Sequence, residues 1–125
     1  MSFALDLNGL CFAYDGRDVV HDVSFSVAAG EIVCLLGPSG CGKTTTLRIA
    51  AGLERLSRGT VYVGGRQVAG EGVHVPPEQR HIGLVLQDFA LFPHLTVADN
   101  IAFGLKKMNR SARHKIVQDL LAQVG

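Results

Sequence analysis

The sequence predicts an α/β fold, and three observations lead there. Residues 37–44 form a glycine-rich turn between an apolar run, 31–36, and a helix-compatible stretch, 43–51. A second apolar run, 82–86, has the composition of a buried parallel strand. The first 27 or so residues read as two strands joined by a turn, a β portion ahead of that unit.

The elements follow in chain order. Residues 3–7 alternate loosely, Asp15 and Gly16 mark the turn, and residues 23–27 alternate cleanly, as a half-buried strand does. Residues 28–31, Ala-Ala-Gly-Glu, turn into the strand before the glycine loop. The helix after the loop is expected to stop at Gly52, a C-terminal breaker. Residues 59–65 read as a further strand with a glycine exit. Residues 66–78 scatter Gly70, Gly72, Pro76 and Pro77, and are expected to be a surface loop. An aromatic-rich connection follows Gln87 over 88–94. Thr96 with Asp99 has the pattern of a helix N-cap, and helix-compatible sequence runs to about Lys107. Ser111 is placed to cap a last helix, whose Val117, Leu120, Leu121 and Val124 share one apolar face. That face has no obvious partner among the preceding elements.

Residues 37–44 spell G-x-x-x-x-G-K-T, and each residue type there has a physical reason. A triphosphate crowds negative charge onto closely spaced oxygens, so a loop around it must turn many backbone N–H groups inward. Gly37, Gly40 and Gly42 allow that nest of donors, with Ser39 and Cys41 filling the turn between them. The loop opens a helix whose first N–H groups lack intrahelical partners and whose dipole favours anions. Lys43 brings a point charge for the β- and γ-phosphates, the Thr44 hydroxyl is placed for Mg²⁺, and Thr45 can donate to the α-phosphate. ATP with Mg²⁺ is the ligand this pattern implies.

Size and charge set the bounds. The 125 residues suffice for one domain or part of one. With 47% hydrophobic residues the chain can bury a core. A formal net charge of +1 provides no field that would recruit nucleic acid. No apolar run approaches the ~20 residues of a membrane span, and the N-terminus lacks the basic start and apolar stretch of a signal peptide. Cys11, Cys34 and Cys41 show no zinc-type pairing, which fits a reducing compartment. His74, His81 and His94 have no metal-ligand spacing and read as loop and surface histidines.

Further motifs align with the glycine loop. Gln87, at the end of the expected strand, lies in the run Leu-Val-Leu-Gln-Asp-Phe-Ala-Leu-Phe-Pro-His-Leu-Thr-Val of 84–97, Tyr14 precedes Asp15 and Gly16, and 99–105 reads Asp-Asn-Ile-Ala-Phe-Gly-Leu. On these residues the whole chain resembles the N-terminal half of an ABC-transporter ATP-binding subunit. The resemblance implies a P-loop NTPase-type sheet with an N-terminal antiparallel β portion, and makes residues 1–125 a partial nucleotide-binding domain. It also implies that Tyr14 stacks on adenine, with Phe12 the nearest substitute, and base stacking on an aromatic contributes roughly 1–3 kcal/mol. Gln87 resembles the glutamine that contacts Mg²⁺ or the attacking water, as a neutral amide with both donor and acceptor can. Residues 88–105, with Phe89, Leu91, Phe92, Leu95 and Phe103, resemble the region that receives a helix of the integral membrane permease. A second ATP-binding subunit, and a peripheral place on the cytoplasmic face of the inner membrane, come with the family.

The chain contains no Leu-Ser-Gly-Gly-Gln signature, no apolar strand ending in Asp-Glu and no later switch histidine. A fragment is therefore expected, one that binds nucleotide and turns it over little. Without the acidic strand, the strand before the loop is expected to keep an exposed edge. Residues 75–80, Val-Pro-Pro-Glu-Gln-Arg, with 87–94 look most like ferric-iron importers, with maltose-type sugar, polyamine and sulfate importers close. A small-molecule kinase would explain the loop but not Tyr14, Gln87 or 88–105. A non-catalytic fragment that binds a membrane subunit is the other alternative.

Overall fold

The computed structural model describes residues 3–125, in two compact units, the first ending at Leu84 and the second running Val85–Gly125. The first unit begins with a long hairpin, β1 (Phe3–Tyr14) and β2 (Arg17–Ala28). Asp15 and Gly16 close it with φ of 49° and 76°, the paired positive values of the two-residue turn that matches strand twist. β3 (Arg58–Val63) pairs with the other edge of β1, β4 (Arg66–Gly70) with β3, and β5 (Val73–His74) with β4. All pairings are antiparallel, in the order β2-β1-β3-β4-β5. Helix α1 (Lys43–Ala51) contributes Ile49 and Ala50 to a core shared with Leu7, Leu10, Val20, Val61, Val68 and Ala69.

The expected surface loop over 66–78 is overturned. Arg66–Gly70 and Val73–His74 are strands, and Val68 and Ala69 lie in the core. Gly70 ends β4 paired with Val73, and Glu71 with Gly72 (φ 69°) turns one short strand into the next. His74, expected on the surface, is half-buried in β5.

The two runs expected as buried parallel strands, 31–36 and 82–86, form no ladder among the described residues. Ile32 and Leu36 are each 91% exposed and Val85 is 97% exposed. A parallel strand needs a hydrogen-bonding neighbour and a cover on each face, and neither run has them. The strand expected before the loop with an exposed edge is therefore not formed, and the segment is irregular and exposed instead. Glu31 starts that segment by folding back, its Oε2 accepting from Ala28 N at 2.8 Å.

The second unit holds α2 (Val97–Ala102), a 3₁₀ turn at Phe103–Leu105, and α3 (Arg110–Val124). Thr96 caps α2 as expected, its hydroxyl accepting from Asp99 N at 3.1 Å. The helix ends at Ala102 rather than near Lys107, because Gly104 favours the tighter turn over a further helical one. Asn109, not Ser111, caps α3: its Oδ1 accepts from Ala112 N at 2.8 Å, which leaves Ser111 inside the helix. Val117 is buried on the expected apolar face, while Leu120 and Val124 stay exposed.

Candidate functional site

The glycine turn is held from within. Lys43 Nζ donates to the carbonyls of Gly37 at 2.7 Å and Pro38 at 2.8 Å, and lies 3.4 Å from Cys41 Sγ. Cys41 N donates to Pro38 O at 3.3 Å, making a tight turn around Ser39 and Gly40. The ammonium thus gathers the loop's carbonyls on one side. Its third donor faces sulfur, a weak acceptor that a phosphate oxygen outcompetes.

The helix start is fixed from the other side. Gly42 has φ 90°, and a Cβ there would collide with the Val19 carbonyl of β2. Only glycine lets the loop press that close to the hairpin while entering the helix in the left-handed region. Thr46 is buried, and both its N and its Oγ1 donate to Gly42 O at 2.8 Å. The N–H groups of Lys43, Thr44 and Thr45 come before that first intrahelical bond, and no side chain caps them. They are the donors a phosphate needs at a helix N-terminus. Thr44 is exposed and Thr45 half-buried.

At the far end of α1, Gly52 (φ 92°) ends the helix as expected, its N–H donating to Ile49 O at 3.1 Å. Here sits a residue that sequence reasoning missed. Arg80 is 1% exposed, and donates through Nη1 to Ile49 O and Ala50 O at 2.9 and 3.1 Å and through Nε to Val75 O at 2.7 Å. Its Nη2 lies 3.3 Å from His74 Nδ1. Arginine has no acceptor, so Nδ1 accepts and the imidazole proton sits on Nε2. Burial, then the cations Arg55 and Arg80, push the His74 pKa below its ordinary value, and burial also lowers that of Arg80.

The remaining candidates lie apart from the turn in chain order. Tyr14 closes β1 and is 63% exposed, a ring free of aromatic partners among the described residues. Gln87 is exposed in the second unit. There Phe92 packs on Phe103 with centroids 4.5 Å apart, and Lys106 Nζ lies 4.3 Å over the Phe103 ring. Phe89 and Leu91 remain exposed, at 91% and 66%. Asn100 ties this segment together: its Oδ1 accepts from Phe92 N at 2.9 Å, and its Nδ2 donates to Thr96 O at 2.9 Å and reaches Phe92 O and Leu95 O at 3.3 Å. A groove of about 720 Å³ opens beside it, walled by Leu95, Ala102, Phe103 and Val117 and edged by Lys106 and Arg113. No helix is long and apolar enough to cross a membrane among the described residues.

This geometry can be set beside known proteins. A family profile described as ABC transporter matches residues 20–125. The chain belongs to the ABC transporter family.

As a member of the ABC transporter family it has relatives of several stated substrates. It is 54% identical over 101 residues to the trehalose/maltose import ATP-binding protein MalK of Thermococcus litoralis, covering 79% of this chain and 27% of that one. It is 44% identical over all 125 residues to the Fe(3+) ions import ATP-binding protein FbpC 2 of Rhodococcus jostii, 35% of that protein. The spermidine/putrescine import ATP-binding protein PotA of Photobacterium profundum is 43% identical over 122 residues, 96% of this chain and 32% of the relative. The chain thus spans about a third of the length of these curated relatives. Among solved structures, a bacterial Atm1-family ABC exporter with ATP bound matches 88% of this chain and 19% of its own, at 32% identity and a TM-score of 0.73. The fold is the P-loop NTPase type, carrying an antiparallel sheet and three α-helices among the described residues.

Proposed function

We propose that the chain binds ATP–Mg²⁺ through residues 37–45 as part of the ATP-binding subunit of an ABC importer. The observation that carries this is the turn tied by Lys43 and opening onto the unpaired first-turn N–H groups of α1. Gly37, Ser39, Gly40, Cys41 and Gly42 shape the cradle, Lys43 meets the β- and γ-phosphates, and the exposed Thr44 hydroxyl is a ligand for Mg²⁺. Thr45 serves the α-phosphate and Tyr14 the adenine. On the family resemblance Gln87 is assigned the role toward metal and attacking water, and Lys43 and Gln87 are the residues we name for catalysis. The bound Mg²⁺ supplies charge neutralisation across the phosphates.

In this reading the exposed Phe89 and Leu91, with the groove beside Phe103, receive an integral membrane permease. A second ATP-binding subunit completes the nucleotide site, and the assembly works peripherally at the cytoplasmic face of the inner membrane. Transport-coupled ATP hydrolysis belongs to that assembly. These 125 residues contain neither the Leu-Ser-Gly-Gly-Gln signature nor an acidic pair after an apolar strand, so the chain alone binds nucleotide with little turnover.

Iron(III) import is the transport we favour, on the match of all 125 residues to 35% of an iron import protein and on residues 75–80 and 87–94. Sugar and polyamine uptake remain the competing substrates, as the stated functions of other relatives require. Calorimetry with MgATP on the folded chain tests the central claim: saturable binding that Lys43→Ala removes supports it, and no heat in the folded wild type overturns it. A phosphate-release rate equal to that of an intact relative overturns the statement on turnover.

A further inference from the structure

We infer that Arg80 is a positioning residue for the phosphate site, acting through the far end of helix α1. The inference rests on the nucleotide reading above and names a residue that reading does not use.

Arg80 is a charged side chain placed at 1% exposure. Its partners are three backbone carbonyls and an imidazole nitrogen, and no carboxylate is paired with it among the described residues. A buried cation without a counter-ion is costly unless its donors are satisfied and an opposing field is present. The C-terminal end of α1 supplies both, through the Ile49 and Ala50 carbonyls and the negative end of the helix dipole. The backbone makes room for it: a Cβ at Gly52 would stand 2.7 Å from Arg80 Nε and 3.0 Å from Cζ. Through Nε the same guanidinium grips Val75 O, and Val75 N in turn donates to Val68 O of β4. One side chain therefore fastens the end of α1 to the sheet.

The nine residues of α1 put its ends about 13 Å apart at 1.5 Å per residue. Arg80 cannot touch a phosphate held at Lys43–Thr45, yet it fixes the other end of the same short rigid body. The near end is pressed against the hairpin, where Gly42 sits so close to the Val19 carbonyl of β2 that a Cβ would collide with it. With both ends pinned, the first-turn N–H groups and Lys43 are held in one orientation. Anything that anchors the helix for phosphate must, by reciprocity, be held more firmly when phosphate is bound.

The test reads the Arg80 Nε–H signal by NMR in the unsubstituted chain, with and without MgATP. Slower solvent exchange of that proton in the nucleotide complex is expected. Unchanged exchange, in a sample where MgATP shifts the Thr44 and Thr45 amides, overturns the inference. If MgATP shifts neither, the nucleotide reading itself falls and takes this inference with it. A second arm uses Arg80→Lys, which keeps a cation but loses the fork. We expect its folded fraction to bind MgATP about twofold to thirtyfold more weakly, the range for residues that transmit coupling without ligand contact. A purely structural role would lower the melting temperature and leave that Kd unchanged, which would overturn the proposal. Should the variant not fold, the Nε–H arm decides alone.

Discussion

Lys43 Nζ donates to the Gly37 carbonyl at 2.7 Å, so the residue that closes the glycine turn holds the residue that opens it. The bond makes Lys43 two things at once, a strut for the turn and a charge for a ligand.

Replacing Lys43 by Ala removes both. Hydrogen bonds to charged groups are worth about 1.5–3 kcal/mol each, so the loss of one to a phosphate corresponds to roughly a tenfold to hundredfold weaker MgATP complex. Lys43→Arg keeps the charge, but its planar fork cannot serve the Gly37 and Pro38 carbonyls as a compact ammonium does, and affinity should fall as well. Calorimetric titration of the three proteins ranks them, and equal affinities would remove the ligand role.

Gly42→Ala attacks the backbone instead. The new methyl meets the Val19 carbonyl, and φ of 90° lies where side chains are strained. The conformational term alone is about 1–3 kcal/mol, and the collision adds to it. A lower denaturation midpoint than wild type, with weaker nucleotide binding, is the expected pair of results. The same change at Gly40, whose Cβ would meet nothing within 4 Å, should cost less, its φ of 82° being the only penalty.

How much of this could be read from residues alone follows a physical line. The turn 37–44, the stop at Gly52, the Asp15-Gly16 hairpin and the Thr96 cap are local, set by residue type within a few positions, and the sequence displays them. The strands at Arg66–Gly70 and Val73–His74 were hidden because their glycines and the following prolines resemble loop chemistry. Arg80 was hidden for another reason. Its partners Ile49 and Ala50 lie some thirty residues away, and a charged side chain reads as surface until its carbonyls are in view. Residues 31–36 and 82–86 carry the composition of buried strands, but composition does not supply the neighbours that a ladder needs.

Asn100 in the second unit should be more sensitive to substitution than an ordinary half-buried polar residue. Its amide bridges Phe92, Leu95 and Thr96, accepting from the Phe92 N–H and adding donors to carbonyls at the start of α2. Asn100→Ala removes the acceptor of the exposed Phe92 N–H, which water can then take up, so the cost of that bond is at most about 0.5–1.5 kcal/mol. Faster hydrogen exchange at Phe92 is the expected readout, while Asn100→Asp keeps the acceptor for Phe92 N and loses only the donors. Equal protection in wild type and Asn100→Ala would show that the bridge is incidental.

His74 gives the first unit a stability that depends on pH in a definite sense. Burial first, then Arg55 and Arg80, lower its pKa from the ordinary 6.5, because a proton on the ring would be poorly solvated and would face two cations. Nδ1 also accepts from Arg80 Nη2, and protonation there would replace that contact by repulsion. In the unfolded chain the ring titrates near its ordinary value. Below about 6.5 the unfolded state therefore binds a proton that the folded state refuses, and unfolding becomes easier as pH falls toward the lowered native value. Above 6.5 both states are neutral and this contribution is constant. Urea denaturation between pH 7.5 and 5, scanned in steps of about half a unit, should show a midpoint that declines only over the acidic half. His74→Gln offers Arg80 an amide oxygen and carries no titrating proton, so its profile should lose that part of the decline. A His74→Gln profile parallel to wild type would assign the acid sensitivity to other groups and leave the His74–Arg80 contact without a role in it.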